Sequence, residues 1–395
     1  MTIQPVTSIV SILDNDFYKF TMQQGVIRLF PYAKVRYKFI NRGKHSFPPG
    51  FGDALRKAVN EMPALRLTRE EKKFLQVNCP YLDPLYLDFL EGYRYQPDEV
   101  HIEQVGDQLE IHIEGLWYRA ILWEVPIMSL ICELFYELTH AVRISNEEVI
   151  QRTRKKIENY RDLGVTVAEF GTRRRYSYAI HRLVLQTLQQ YGEGSFIGTS
   201  NVHMAMVHQT KPIGTHAHEW FMFHAARYGF KMANSLGLEH WVQVFRGDLG
   251  IALSDTYTTD VFFRQFDKMF SKLFDGVRHD SGDPLLFADK VIAHYERMGI
   301  DPKTKTIIFS DALNYEKVAR IAGHCRNKIG ISFGIGTNLT NDAGPEPMNI
   351  VIKMTQAQPQ NEQWTDVIKL SDEHGKYTGT EKMIMLAKEI LEIDL

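Results

Sequence analysis

Val165-Thr166-Val167-Ala168-Glu169-Phe170, followed by Gly171-Thr172-Arg173 and a helical stretch over 177–191, is the repeating unit from which the fold class follows. An apolar run, a polar or glycine-bearing cluster and a helix succeed one another through the rest of the chain. Further runs lie at 195–198, 211–213, 242–245, 276–277, 306–309, 329–333 and 350–352. The clusters after them are Thr199-Ser200-Asn201, His216 to Glu219, Arg246-Gly247-Asp248, Arg278 to Asp283, Ser310-Asp311, Gly334 to Asn338, and Lys353. Helical stretches over 219–236, 256–274 and 284–298 separate them. Strand, polar cluster and helix in this order predict a parallel α/β structure, whose strand C-termini share one face where active sites form. Eight runs suit a closed barrel; an open, doubly wound sheet is the alternative.

The first third has a different rhythm. Lys34 to Ile40, Val100 to Val105 and Leu109 to Ile113 alternate as strands, with helix-like stretches at 52–62 and 70–75 between them. Asp14-Asn15-Asp16 offers capping oxygens to a helix running from Phe17 toward Phe30. The expected division is a small α/β domain from 1–121 plus 355–395 and a barrel domain over 122–354.

With 395 residues, 44% hydrophobic and 24% charged, the composition is that of a globular enzyme. The net charge of −2 gives no global attraction to nucleic acid or membrane. The apolar run 121–130 is broken by Trp123, Glu124 and Pro126, and the N-terminus lacks a basic start and long apolar stretch. Cys79, Cys132 and Cys325 are far apart and form no CxxC pair. A cytoplasmic protein is expected.

The clusters favour anions and hydroxyls. Arg173-Arg174-Arg175 follows a strand and a glycine, where guanidinium forks can clamp phosphate or carboxylate. In Gly334-Ile335-Gly336-Thr337-Asn338 the glycines let backbone N–H groups approach a phosphate, and Thr337 and Asn338 add donors. Gly276 to Pro284 joins Arg278, Asp280 and Ser281 to an Asp283-Pro284 helix start, suiting a phosphorylated, polyhydroxylated ligand. His216-Ala217-His218 has the HxH form of metal-dependent barrel hydrolases, yet later strand ends offer few histidines to complete such a site. A neutral imidazole beside a carboxylate can instead take a phosphoryl group.

Five segments, in order and approximate spacing, resemble the bacterial type of the nicotinate phosphoribosyltransferase family. They are Asp14-Asn15-Asp16-Phe17-Tyr18-Lys19-Phe20-Thr21-Met22, Glu169 to Arg174, Phe196 to Asn201, Gly214 to Trp220 and Val277 to Pro284. The resemblance implies a type II phosphoribosyltransferase: an irregular α/β barrel with a smaller α/β domain built from both chain ends, working as a homodimer with shared active sites. It implies ATP-coupled formation of nicotinate mononucleotide and pyrophosphate in NAD salvage, with Mg²⁺ accompanying the phosphates and no nucleic-acid or membrane partner. Tyr18, from the neighbouring subunit, and Phe170 would sandwich the pyridine. Arg173 would hold pyrophosphate, Arg278 and Asp280 the base and ribose, Gly334, Gly336 and Thr337 the 5′-phosphate, with Asp311 nearby. His218 would be the phosphorylated histidine, oriented by Asp255, and Thr199 and Ser200 would face the base.

At Ser200 the sister family that uses nicotinamide carries aspartate, which would repel the carboxylate of nicotinate; serine can donate to it. The segment 360–367 departs from the short Asn-Gly turn of many relatives, at no site residue. Besides the metal-dependent hydrolase, a non-catalytic binding protein and a quinolinate-using enzyme are the competing readings.

Overall fold

The computed structural model of the chain describes residues 9–360, 362–373 and 376–393. Two sheets organise it. One is antiparallel, in the order β11-β10-β1-β3-β2, from β1 (Lys34–Asn41), β2 (Val100–Val105), β3 (Gln108–Leu116), β10 (Ile350–Gln358) and β11 (Thr365–Asp366). The other is parallel, in the order β5-β4-β9-β8-β7-β6, from β4 (Val167–Glu169), β5 (Phe196–Thr199), β6 (Ile251–Leu253), β7 (Gly276–His279), β8 (Thr306–Phe309) and β9 (Gly330–Ile335). The expected α/β class, parallel sheet and second layer are all present.

Five of the anticipated eight runs are strands of that sheet, and its sixth strand, β6, was not among those runs. The run 211–213 forms no strand, but its backbone flanks β5: Thr199 donates to Lys211 O at 3.1 Å and Ile213 to Thr199 O at 2.9 Å. The chain then reaches the opposite edge through side chains. Thr215 Oγ1 donates to Ile251 O at 3.1 Å, and Leu253 N donates to His216 Nε2 at 3.1 Å. This segment therefore bridges β5 and β6, closing the barrel without a continuous ladder.

Residues 242–245 are helical, not extended. They end the helix Ala233–Phe245, whose Leu238, Trp241, Val244 and Phe245 are buried at helical spacing; Arg246 and Gly247, both with positive φ, stop it. The next strand is β6. Residues 350–352 pair antiparallel with β1, and Ile350, Ile352 and Met354 are buried in alternation, the pattern of a strand with one core face. The expected domain boundary at 354–355 thus falls inside β10. Gly229 also splits the helical stretch 219–236, and 256–274 divides into Thr259–Gln265 and Lys268–Leu273.

Capping residues carry the chain from strand end to helix. Asp283 accepts from Leu285 N and Leu286 N ahead of Pro284–Arg297, Ser177 from Ile180 N, and Asn314 from Lys317 N. Asp16 does not: its side chain makes no cap bond to the helix Phe17–Leu29. Aromatic packing joins the two layers, with Trp117 after β3 lying 4.4 Å from Phe223 and 6.1 Å from Trp220 between ring centroids.

Candidate active site

The C-terminal ends of the parallel strands open into a cleft of about 730 Å³, a size that suits small-molecule substrates. Tyr18, Phe170, Arg173, Ser200, His218, Arg278, Asp280, Gly334, Gly336 and Thr337 all line it. Residues from six segments, spread over more than 300 positions of the chain, are thereby brought to one wall system. Phe170 lies directly against β9: a Cβ at Gly334 would stand 2.3 Å from its ring carbons. Glycine at 334 is needed to seat the ring, a role separate from any phosphate contact.

Tyr18 lines the cleft of its own chain. Phe17 N donates to Ser200 O at 2.7 Å and Asp16 bridges Asn201, which ties the start of this helix to the end of β5. Thr199, Asp255 and Asp311 stand off the cleft surface. Thr199 is fully buried and donates to Glu169 Oε2 at 2.5 Å, and Asp311 lies 3.6 Å from Lys376. The arginine triplet divides because successive residues of a 3₁₀ turn face different ways. Arg173 and Arg174 face the cleft, whereas Arg175 is buried in a bidentate pair with Asp14 at 2.7 and 2.9 Å.

Ser200 is not free to donate as the sequence suggested. Its hydroxyl donates to Asp16 Oδ1 at 2.7 Å, and Asp16 Oδ2 lies 3.6 Å from Arg173 Nε. Burial pushes the Asp16 carboxyl above its ordinary range, against the pull of Arg173 and Ser200. A carboxylate ligand here meets an existing acid, so its attraction must come from the guanidinium groups of Arg173 and Arg278. The Nε of Arg278 is buried and has no hydrogen-bond partner among the described residues.

His218 opens the helix His218–Tyr228. Its Nδ1 is 3.0 Å from Thr256 Oγ1, and its Nε2 is 2.9 Å from both Asp280 Oδ2 and Lys369 Nζ. Asp255, the anticipated orienting carboxylate, is farther away at 3.9 Å; it accepts from Ser281 Oγ at 2.6 Å and pairs with Lys369 at 3.2 Å. Burial, then the Lys369 charge, pulls the imidazole down to about 4, so it is neutral at physiological pH with a lone pair to offer.

His218, Asp255 and Asp280 place donor atoms within 4.8 Å of one another, the geometry of a cation site. Lys369 fills that position: its ammonium is 2.9, 3.2 and 3.9 Å from the three groups. His216 does not join them. It is fully buried, its ring 4.7 Å from that of Trp241 and its Nε2 accepting from Leu253 N. The HxH pair therefore diverges, which removes the metal-dependent hydrolase.

Sequence reasoning missed Asp16, Glu124 and Lys369 as cleft residues, and placed Lys353 after a strand run without giving it a role. Lys353 faces the cleft because it alternates with the buried Ile352 and Met354 on β10, and burial followed by the Lys369 charge lowers its ammonium to about 8. The period-2 pattern could have shown that lysine's face. Nothing local marked Lys369, more than 150 residues from His218 in the chain.

Comparison with known proteins places the chain as a whole. A family model described as the nicotinate phosphoribosyltransferase family matches residues 165–394, and one for the N-terminal domain of that family matches 13–132. The curated nicotinate phosphoribosyltransferase of Chromohalobacter salexigens is 64% identical over 97% of this chain and 98% of its own length. The crystal structure of nicotinate phosphoribosyltransferase from Porphyromonas gingivalis matches with a TM-score of 0.95 at 46% identity, covering 98% of this chain and all of that one. The Vibrio cholerae enzyme gives 0.92 at 34%, over 98% and 94%. Matched almost end to end in sequence and in fold by proteins of one name, the chain belongs to the nicotinate phosphoribosyltransferase family.

Proposed function

We propose that the chain transfers the phosphoribosyl group of phosphoribosyl pyrophosphate to nicotinate, giving nicotinate mononucleotide and pyrophosphate in NAD salvage. The observation that carries this reading is the convergence of Tyr18, Phe170, Arg173 and Arg278 on one cleft. Two rings offer π faces to a flat acid while guanidinium groups meet its carboxylate and the phosphates. The bond from C1 of the ribose to pyrophosphate breaks as the bond from C1 to the pyridine nitrogen forms. Arg173 stabilises the departing charge, and no general base is required because the ring nitrogen already carries its lone pair. Mg²⁺ would accompany the substrate phosphates and offset their charge, since the Lys369 ammonium already stands among His218, Asp255 and Asp280.

His218 serves ATP use in this scheme. Its neutral imidazole attacks the γ-phosphorus, the N–P bond replaces the bond to ADP, and water later releases phosphate. Gly336 and Thr337 lie where a strand end turns into the short helix Thr337–Thr340, the segment proposed for the 5′-phosphate. We further propose that two copies pair in a cytoplasmic homodimer.

Incubation with nicotinate, phosphoribosyl pyrophosphate, Mg²⁺ and ATP tests the reading: mononucleotide and pyrophosphate should appear together. His218→Asn should abolish ATP hydrolysis and the acid-labile phosphoprotein while slow transfer persists. A phosphoprotein surviving in that variant assigns the acceptor elsewhere, and no mononucleotide from the parent enzyme removes the function.

A further inference from the structure

Behind the cleft, one lysine joins the two halves of the site. Lys19 is fully buried on the helix Phe17–Leu29, and its ammonium lies 2.6 Å from Glu124 Oε2 and 2.7 Å from Glu219 Oε1. Neither carboxylate ends there. Glu219 follows His218 in the first turn of its helix, and its second oxygen accepts from Tyr37 Oη on β1 at 2.7 Å. Glu124 opens the helix Glu124–Leu138, and its second oxygen stands 3.6 Å from Arg173 Nη1. The ammonium also lies 5.3 Å from the Tyr18 ring centroid.

We propose that Lys19 is a positioning residue that keeps ATP use at His218 in step with pyrophosphate handling at Arg173, acting through Glu219 on the one side and Glu124 on the other. This rests on the roles proposed above for His218 and Arg173. Two carboxylates facing one cation cannot both stay in place if the ammonium leaves, because each would be buried beside the other. A movement of Arg173 toward an anion changes the charge held by Glu124. Lys19 must then share itself differently with Glu219, whose backbone is continuous with that of His218. Burial raises the Glu219 carboxyl, helped by Glu124; for Glu124, the attraction of Lys19 and Arg173 outweighs burial and keeps it low. The pair is thus unequal, with the weaker acid on the His218 side. A purely structural ion pair could sit anywhere in the core, whereas both carboxylates here lie on the cleft wall.

The test is the number of mononucleotides formed per ATP hydrolysed, measured for the full-length enzyme and for Lys19→Met, Lys19→Arg, Glu124→Gln, Glu219→Gln and the double glutamine variant. Partial unfolding lowers both products equally and leaves this ratio unchanged, so it separates positioning from stability. The expected result is a ratio about tenfold lower in Lys19→Met and in each glutamine variant, restored in Lys19→Arg. The double variant should lose no more than either single one, since both substitutions act through the same ammonium. If Lys19→Met does not fold, the glutamine variants still decide. A ratio within about twofold of the parent in the folded variants, or independent multiplication of the two glutamine effects, overturns the proposal. Failure of the parent itself to link ATP to transfer would instead remove the roles given to His218 and Arg173.

Discussion

His218 shows how surroundings choose the chemistry of one side chain. An imidazole normally takes a proton near 6.5, but here it holds its lone pair down to about 4. Phosphoprotein formation should therefore stay level from pH 7.5 to about 5.5, where an unperturbed histidine would lose most of its reactivity. A decline centred near 6.5 would contradict the burial assignment. Lys369→Met removes the second cause of the shift and should move the acid limb upward. The sign for stability is the same. Between 6.5 and about 4 the unfolded chain binds a proton that folded His218 refuses, so this residue destabilises the fold as pH falls through that window. At Ser200 the relevant neighbour is Asp16, at 2.7 Å. Ser200→Asp places two carboxyl groups together and adds repulsion for a carboxylate substrate, so nicotinate kcat/KM should fall by about tenfold or more. An unchanged value would show that this position does not govern base choice.

At the scale of elements, the site proposed for the base is assembled by three adjacent strand ends. Glu169, at the end of β4, accepts from Thr199 Oγ1 at 2.5 Å, from Gly171 N and from His181 Nε2 at 2.9 Å if that nitrogen carries the proton. Ser200 N donates to Glu169 O at 2.8 Å, and Phe170 N donates to Ile335 O at 2.8 Å. The ring is consequently fixed from β4, β5 and β9 at once. Gly334→Ala intrudes on that arrangement with a Cβ that the strand backbone cannot withdraw. It should raise the KM for nicotinate several-fold more than that for phosphoribosyl pyrophosphate, and cost about 1–3 kcal/mol in thermal unfolding. Equal effects on both KM values would mean that Phe170 does not contact the base.

Over the whole molecule, the antiparallel layer contributes chemistry as well as support. Lys353 comes from β10, and Lys369 from the segment after β11, yet both reach the mouth of the parallel barrel. The same economy applies to Tyr18, which the bridge between Asp16 and Asn201 holds against its own barrel. Co-expressing Tyr18→Ala with Phe170→Ala tests this arrangement in an oligomer. Rings from one chain predict no recovery of activity, because every mixed pair lacks one ring per site. Recovery toward a quarter of parental activity would mean that the partner's ring completes the site.

Periodicity and capping residues in the sequence by themselves determined the α/β class, the capped helix at Asp283-Pro284 and the grouping of Phe170, Arg173 and Arg278 at the ends of parallel strands. These follow from local steric and capping preferences or from their place in a repeating unit. Runs such as 242–245 and 350–352 were ambiguous because a short apolar stretch buries equally well in a helix, a parallel strand or an edge-facing antiparallel one. Tertiary structure alone decided that Lys369 sits between His218 and two carboxylates, that Ser200 donates to Asp16, and that His216 turns into the core. Each is a contact between segments far apart in the chain, selected by packing and charge compensation in the folded interior.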